Sequence, residues 1–174
     1  NNFRIRDKIP LPVNEARCLF GIADETGTLK PGECVIQYCS RENSSTSEKY
    51  IVPTGTLLVT KNPCLHPGDI RKLKAVYVPK LQSCIRDGIV FSTNGHRPSF
   101  NEMTGADLDG YQYWAYWDGE FQIEEVVKPL FYSLAKKTCV NQIKNELIVD
   151  HVLDTFRDTA PGIVANTDSV IADK

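Results

Sequence analysis

The sequence has no apolar run of about 18 residues, no Cys-x-x-Cys pair and only three histidines, which are scattered. The first absence argues against a membrane-spanning helix, and the other two argue against a zinc site recognisable by ligand spacing. Residues 1–6 contain neither an initiator Met nor an apolar signal core. We therefore expect a piece of a longer chain rather than a secreted precursor, and no membrane partner.

The six cysteines are spread along the chain, and several lie in apolar runs such as 18–20 and 34–36. Buried thiols of this kind are typical of a reducing compartment. We expect free cysteines, no disulfide, and a cytoplasmic or nuclear location.

Charge is nearly balanced overall, at −2, so the chain lacks the general basic footprint of a nucleic-acid-binding protein. Its distribution is uneven. Residues 61–86 contain six basic residues and one acid, Asp69, whereas residues 102–126 contain seven acids and no Lys or Arg. Such neighbouring stretches could hold phosphates and metal cations side by side. The alternative is two solvated faces of opposite sign.

The pattern of short apolar segments predicts strands first and helices afterwards. Helices are predicted over 124–137 and 141–157, with a further one possible over 162–172, and residues 1–16 form a connector. The predicted strands cover residues 17–21, 33–39, 55–60, 75–78, 88–91 and 111–117. Because almost no helical segment separates these strands, the order favours an α+β domain with a small barrel.

Residues 105–110, Gly-Ala-Asp-Leu-Asp-Gly, place two carboxylates two positions apart before a predicted strand. On an extended backbone residues i and i+2 point the same way, so Asp107 and Asp109 could share one cation. Oxygen ligands suit Mg²⁺, which often takes one or two protein carboxylates and completes its shell with water and phosphate. Alternatives are a calcium loop or an ordinary turn, although the later ligands of a calcium-binding helix-loop-helix are missing.

A second loop, residues 61–71, follows a predicted buried strand and is stiffened by two prolines. Stiff loops at strand ends commonly hold binding groups. Lys61, His66 and Arg71 could donate to a phosphate or a ribose. Taken singly, Lys61 could also be a solvated strand-end cation and His66 a structural hydrogen-bonding residue.

Three segments in this order are specific in combination: 17–29, the string Lys-Asn-Pro-Cys-Leu-His-Pro-Gly-Asp-Ile-Arg over 61–71, and Gly-Ala-Asp-Leu-Asp-Gly over 105–110. Together they resemble the catalytic core of the eukaryotic cellular RNA-dependent RNA polymerases of RNA silencing. The resemblance covers roughly residues 9–172. Segments 162–166 and 172–174 also look like the family's downstream helical part.

The resemblance implies a double-psi β-barrel, the second of two that build the active site, over residues 17–122. Residues 123–174 would then be a helical segment packed on the barrel. The first barrel, with further basic residues, would lie upstream in the full-length chain and is a predicted partner.

The chain departs from the family at residue 111. The family motif is Asp-x-Asp-Gly-Asp, and this chain has Tyr111 where the third aspartate is expected. A phenol is neutral near pH 7 and replaces a carboxylate poorly on Mg²⁺. A second departure is Asn166-Thr167-Asp168, where the resemblance leads us to expect Asn-Ala-His.

The implied function is RNA-directed RNA polymerisation in RNA silencing, with an RNA template and nucleoside triphosphates as partners. Asp107 and Asp109 would hold a catalytic Mg²⁺, or Mn²⁺, and Lys61, His66 and Arg71 would contact nucleotide or RNA. The main alternative is a catalytically impaired or dead homologue that acts as an RNA-binding or silencing-complex protein. An unrelated β-domain is a third reading.

Overall fold

The computed structural model describes residue 12 and residues 14–40, 49–64, 66–119, 123–131 and 142–172. The barrel belongs to a compact unit that spans Pro10–Tyr132, and the C-terminal helices belong to a second unit. Each unit is therefore described by itself.

Among the residues that the structure describes, seven strands form the sheet of the first unit. Six of them close into a barrel in the order β2-β5-β4-β7-β1-β6, and β6 pairs again with β2. β3 extends the edge of β2. Pairs β1–β6 and β2–β5 are parallel and the remaining pairs are antiparallel. The strands are β1 Ala16–Ala23, β2 Glu33–Ser40, β3 Lys49–Ile51, β4 Gly55–Lys61, β5 Arg71–Ala75, β6 Gly88–Phe91 and β7 Gln112–Tyr116. This closed mixed barrel confirms the predicted fold class.

The barrel interior is filled by apolar side chains from every strand of the closed ring. At its centre the rings of Phe91 and Tyr113 meet edge to face, with centroids 4.7 Å apart. Gly21 provides the space for this arrangement, because a Cβ there would lie 2.4 Å from Tyr113 Cε2 and 2.7 Å from Leu108 Cδ2. The centre of the barrel is thus close-packed directly beneath the loop that precedes β7.

The predicted strand over 75–78 is wrong. The strand is β5, Arg71–Ala75, and residues 76–78 are irregular. β5 turns Leu73 and Ala75 into the core and leaves Lys72 and Lys74 exposed. The lysines of β5 interrupt its apolar residues, so the alternating pattern of a half-buried strand is hard to recognise in the sequence. The apolar run that follows β5 resembles a strand in sequence but forms no strand in the described structure. The other predicted strands are present, with ends shifted by a few residues.

Short helices connect the strands. A one-turn helix, α1, spans Pro79–Gln82, and 3₁₀ helices span Pro67–Asp69 and Ser99–Glu102. The predicted helix over 124–137 is wrong over its described part, because residues 123–131 are irregular. Pro129 disfavours a helical residue before it. Residues 132–137 lie outside the described part of the chain.

In the described part of the second unit there are two helices, α2 at Asn145–Arg157 and α3 at Ala160–Ala172. They confirm helical structure in both predicted regions, although α2 begins four residues later than predicted. The apolar residues Ile148, Val152 and Phe156 of α2 are exposed. Packing of residues 123–174 on the barrel stays a prediction. No helix among the described residues has the length and apolar character needed to cross a membrane.

Candidate active site

The acidic loop, residues 104–110, leads from the second 3₁₀ helix into β7. Its backbone turns sharply: φ is positive at Thr104 (55°), Leu108 (67°) and Gly110 (71°). A positive φ at a residue such as leucine is uncommon, so surrounding contacts must hold it. Leu108 packs against the barrel core, which supplies those contacts.

The two motif carboxylates lie on either side of Leu108 and are both exposed. The Asp109 amide donates to Asp107 Oδ1 over 3.3 Å. The prediction of an extended backbone here is wrong, since the φ of Leu108 belongs to a left-handed turn. Asp107 Oδ1 nevertheless lies close to the Asp109 backbone, because Leu108 packs inward between the two residues.

The basic loop, residues 61–71, begins at the end of β4 and contains the first 3₁₀ helix. His66 is the N-cap of this helix, and its Nδ1 accepts a hydrogen bond from the Gly68 amide at 2.9 Å. In the neutral ring the proton therefore resides on Nε2. His66 is half-buried, and its Nε2 is the ring nitrogen that can donate a hydrogen bond to a ligand.

Asp69 joins the basic loop to the acidic loop. Its carboxylate is fully buried, and Oδ2 accepts from the His66 amide at 3.2 Å while Oδ1 accepts from the Thr104 amide at 2.9 Å. Thr104 Oγ1 also donates to the Pro63 carbonyl over 3.4 Å. The two loops therefore lie against each other.

Asp69 itself was not among the predicted site residues. The available signal was the spacing of His66 and Asp69, which matches the N-cap and N3 positions of a capping box. The role of Asp69 in holding Thr104 involves a residue 35 positions away and could not be read from local pattern.

Lys61 lies under the ring of Tyr111. Its Nζ is 3.7 Å from the ring centroid, a cation–π contact. Lys61 is only 4% exposed, whereas Tyr111 is 39% exposed. Burial lowers the pKa of Lys61, and the charges of Asp107 and Asp69 oppose that shift. Lys61 therefore lies close both to the Tyr111 ring and to the negative charge of the acidic loop.

Arg71 is held within the protein. Its Nε lies 2.9 Å from Glu102 Oε2, and Nη1 donates to the Val127 carbonyl at 3.2 Å. Glu102 ends the 3₁₀ helix that precedes the acidic loop. The Arg71 guanidinium therefore already has two protein partners, and its ion pair with Glu102 supports the segment that leads into the acidic loop.

Tyr113 lies below the site, opposite Lys61 in the register of β4 and β7. It is fully buried, and its hydroxyl has no hydrogen-bond partner among the described residues. Burial raises the pKa of Tyr113, and the neighbouring Asp107 and Tyr111 raise it further. The floor of the site is therefore a buried, neutral phenol.

The acidic loop fits Mg²⁺ by the chemistry of its donors. Within the described ranges no three His, Cys, Asp or Glu side chains gather into a metal site, so the carboxylate pair stands without a third acid. Two exposed carboxylates satisfy what Mg²⁺ often takes from a protein, with water and substrate phosphates completing the shell. Tyr111 is turned toward Lys61 and offers no carboxylate.

In the described part of the chain, Cys18, Cys34, Cys39, Cys64 and Cys84 form no disulfide. Cys139 lies outside that part. Cys64 is exposed within the basic loop, whereas Cys34 is buried in the core.

Comparison with known proteins gives consistent results. The family RdRP, RNA dependent RNA polymerase, matches residues 3–174. RNA-dependent RNA polymerase 1 of Arabidopsis thaliana is 35% identical over 171 residues, which cover 98% of this chain and 15% of that protein. RNA-dependent RNA polymerase 1 of Schizosaccharomyces pombe is 33% identical over 166 residues, covering 87% of this chain and 14% of that protein.

A solved structure has the same fold. RNA dependent RNA polymerase QDE-1 from Thielavia terrestris matches with a TM-score of 0.54 and 29% identity, over 62% of this chain and 12% of that one. The chain thus spans about a seventh of the length of the curated relatives cited here. The family match over residues 3–174, the identities above 30% and the shared barrel agree, and the chain belongs to the RNA-dependent RNA polymerase family.

Proposed function

We propose that this chain carries the metal-binding part of the active site of an RNA-directed RNA polymerase that acts in RNA silencing. One observation carries the proposal: two exposed carboxylates, Asp107 and Asp109, lie on a loop that buried Asp69 ties to the loop of Lys61 and His66. The carboxylates that would bind a cation therefore lie beside the side chains that would donate to phosphate.

The reaction is nucleotidyl transfer. The 3′-hydroxyl of the growing RNA attacks the α-phosphorus of a nucleoside triphosphate and forms a new P–O bond. The P–O bond to pyrophosphate breaks, pyrophosphate leaves, and the hydroxyl proton passes to water. Asp107 and Asp109 would hold Mg²⁺, with Mn²⁺ as a substitute. Bound there, a divalent cation supplies charge stabilisation at the phosphoryl oxygens.

The basic loop would bind the phosphates. The Lys61 ammonium lies beside the acidic loop, where it can offset the charge of a triphosphate. His66 can donate from Nε2 to a phosphate or ribose oxygen, because Nδ1 is occupied by Gly68. Arg71 would act mainly by holding Glu102, although one guanidinium nitrogen retains donor capacity for the RNA backbone.

Further parts of the site would come from the rest of the full-length protein, including the predicted upstream barrel. RNA template and nucleoside triphosphates are the proposed partners, and the proposed location is cytoplasmic or nuclear. We therefore expect no polymerisation by residues 1–174 alone.

The test is template-directed nucleotide incorporation by the full-length protein, with a defined RNA template and Mg²⁺. Asp107→Asn and Asp109→Asn should each abolish incorporation, because each removes a charged metal ligand. Asp118→Asn, at an exposed acid after β7, is the matched control and should retain it. Incorporation that survives in both motif variants would refute the proposed site.

Tyr111 favours a second candidate function, an impaired homologue that binds RNA without copying it. Its support is the absence of a third carboxylate and the contact of the ring with Lys61. Under this alternative the wild-type full-length protein binds RNA but incorporates no nucleotide with Mg²⁺ or Mn²⁺. Incorporation by the wild-type protein would exclude it.

A further inference from the structure

In the arrangement observed, the ring of Tyr111 covers the Lys61 ammonium. Lys61 is 4% exposed, and its Nζ lies 3.7 Å from the centre of the Tyr111 ring. Tyr111 is 39% exposed. Its ring therefore has room to move away and open the ammonium to solvent. Tyr113, across the strand pair from Lys61, is fully buried and cannot yield in the same way.

The Tyr111 ring also stabilises the Lys61 ammonium, which has few carboxylates near it. Its charged neighbours are Asp107 on the acidic loop and buried Asp69, which already accepts two backbone hydrogen bonds. An aromatic face attracts a cation, and the attraction grows when water is excluded. The ring therefore stabilises a closed state in which Lys61 is satisfied without a phosphate.

We propose that Tyr111 controls access to Lys61: its ring covers the ammonium, and a phosphate group of the incoming nucleotide must displace it. This inference rests on the proposed function, in which Lys61 binds phosphate. A ligand that needs the open state binds more weakly by the fraction of time the site is open. Tyr111 thus weakens the binding of any phosphate that must displace the ring to reach Lys61.

The access role can be separated from the metal role by measuring phosphate binding without a divalent cation. The probe is inorganic triphosphate, titrated into the full-length protein in the presence of EDTA. Tyr111→Ala removes the ring, while Tyr111→Phe keeps an aromatic face and is the matched control. Lys61→Met, alone and combined with Tyr111→Ala, reports how much of the affinity depends on the ammonium.

The expected result is tighter binding in Tyr111→Ala than in the wild type, by about 2- to 30-fold, the range that a cation–π contact represents. Tyr111→Phe should bind like the wild type. The gain should vanish when Lys61→Met is added. In parallel, acetylation of Lys61, measured by mass spectrometry against exposed Lys72, should speed up in Tyr111→Ala and not in Tyr111→Phe.

Two outcomes overturn the inference in distinguishable ways. If Lys61→Met weakens binding in the wild type but Tyr111→Ala neither tightens binding nor speeds acetylation, the ring does not control access, and Lys61 keeps its proposed phosphate role. If Lys61→Met has no effect in either background, Lys61 does not bind phosphate, and that part of the proposed function fails with the inference.

Discussion

Asp69 Oδ1 accepts the backbone amide of Thr104 at 2.9 Å, so a buried carboxylate of the basic loop fixes the first residue of the acidic loop. The other oxygen of the same carboxylate accepts the His66 amide. One side chain therefore sets the position of the proposed phosphate loop relative to the proposed metal loop. A change at Asp69 should disturb both loops although it touches neither metal nor nucleotide.

Asp69→Asn tests this coupling. An amide can accept only one of the two bonds and presents its NH₂ group to the other backbone N–H. We expect a loss of about 1–3 kcal/mol in the free energy of unfolding, the cost of leaving a buried donor unsatisfied. Amide hydrogen exchange of the peptide containing Thr104 should also speed up. Asp118→Asn is the exposed control, and equal exchange in both variants would show that Asp69 does not join the loops.

Gly21→Ala tests the packing that supports the acidic loop. The new Cβ would lie 2.7 Å from Leu108 Cδ2 and 2.4 Å from Tyr113 Cε2, so Leu108 or Tyr113 must shift. Overpacking of this kind costs about 1–3 kcal/mol, measurable by chemical denaturation. Gly119→Ala has open space within 4 Å and should be nearly neutral. Equal stability of the two variants would contradict the close packing under the loop.

Tyr113→Phe should stabilise the protein. The Tyr113 hydroxyl is buried and has no partner among the described residues, and removing such a group relieves a cost of about 1–3 kcal/mol. The pKa of Tyr113 is raised in the fold, so its neutral form contributes stability below the unfolded pKa of about 10 and loses it as pH rises further.

Thermal denaturation from pH 8 to pH 11 measures both effects. The wild type should lose stability above about pH 10 more steeply than Tyr113→Phe, because only its unfolded chain can ionise a phenol that the fold keeps buried and neutral. Tyr77→Phe, at an exposed position, is the control. Parallel pH profiles for the wild type and Tyr113→Phe would show that this phenol is not the titrating group.

The rate at which Cys64 is alkylated should report whether ligands bind at the basic loop. It is exposed in the basic loop, whereas burial raises the pKa of Cys34 to about 12. With iodoacetamide, Cys64 of the full-length protein should react and Cys34 should not, since the thiolate is the reactive form. RNA and nucleotide should slow the reaction at Cys64 and leave exposed Cys84 unchanged. Unchanged labelling of Cys64 would place the ligands elsewhere.

Local pattern was enough to predict most strands and both motif loops. It succeeded where strands are apolar, as in β2 and β6, and failed at β5, where outward-facing Lys72 and Lys74 disguise the inward-facing Leu73. The helix predicted from residue 124 ignored Pro129. These errors arose where tertiary pairing or a single proline overrides periodicity.

The sequence predicted which residues belong to the site, but it did not predict the contacts between their side chains. The contact of Arg71 with nucleotide or RNA stays a prediction, whereas its ion pair with Glu102 follows from no spacing rule. The contact of Lys61 with Tyr111 depends on the pairing of β4 with β7, which places Lys61 opposite Tyr113. Pairings between strands about 50 residues apart follow from barrel closure and could not be derived from either motif alone.

The central claim is that Asp107 and Asp109 form a divalent-metal site that lacks the third acid. Its most direct test is Mn²⁺ titration, followed by electron paramagnetic resonance, of the full-length wild type, Asp109→Ala and Tyr111→Asp. We predict the weakest binding in Asp109→Ala and the tightest in Tyr111→Asp, because a third anionic oxygen adds attraction and the cation relieves repulsion among clustered carboxylates. Equal affinities in all three proteins would contradict the claim and leave this loop without a metal role.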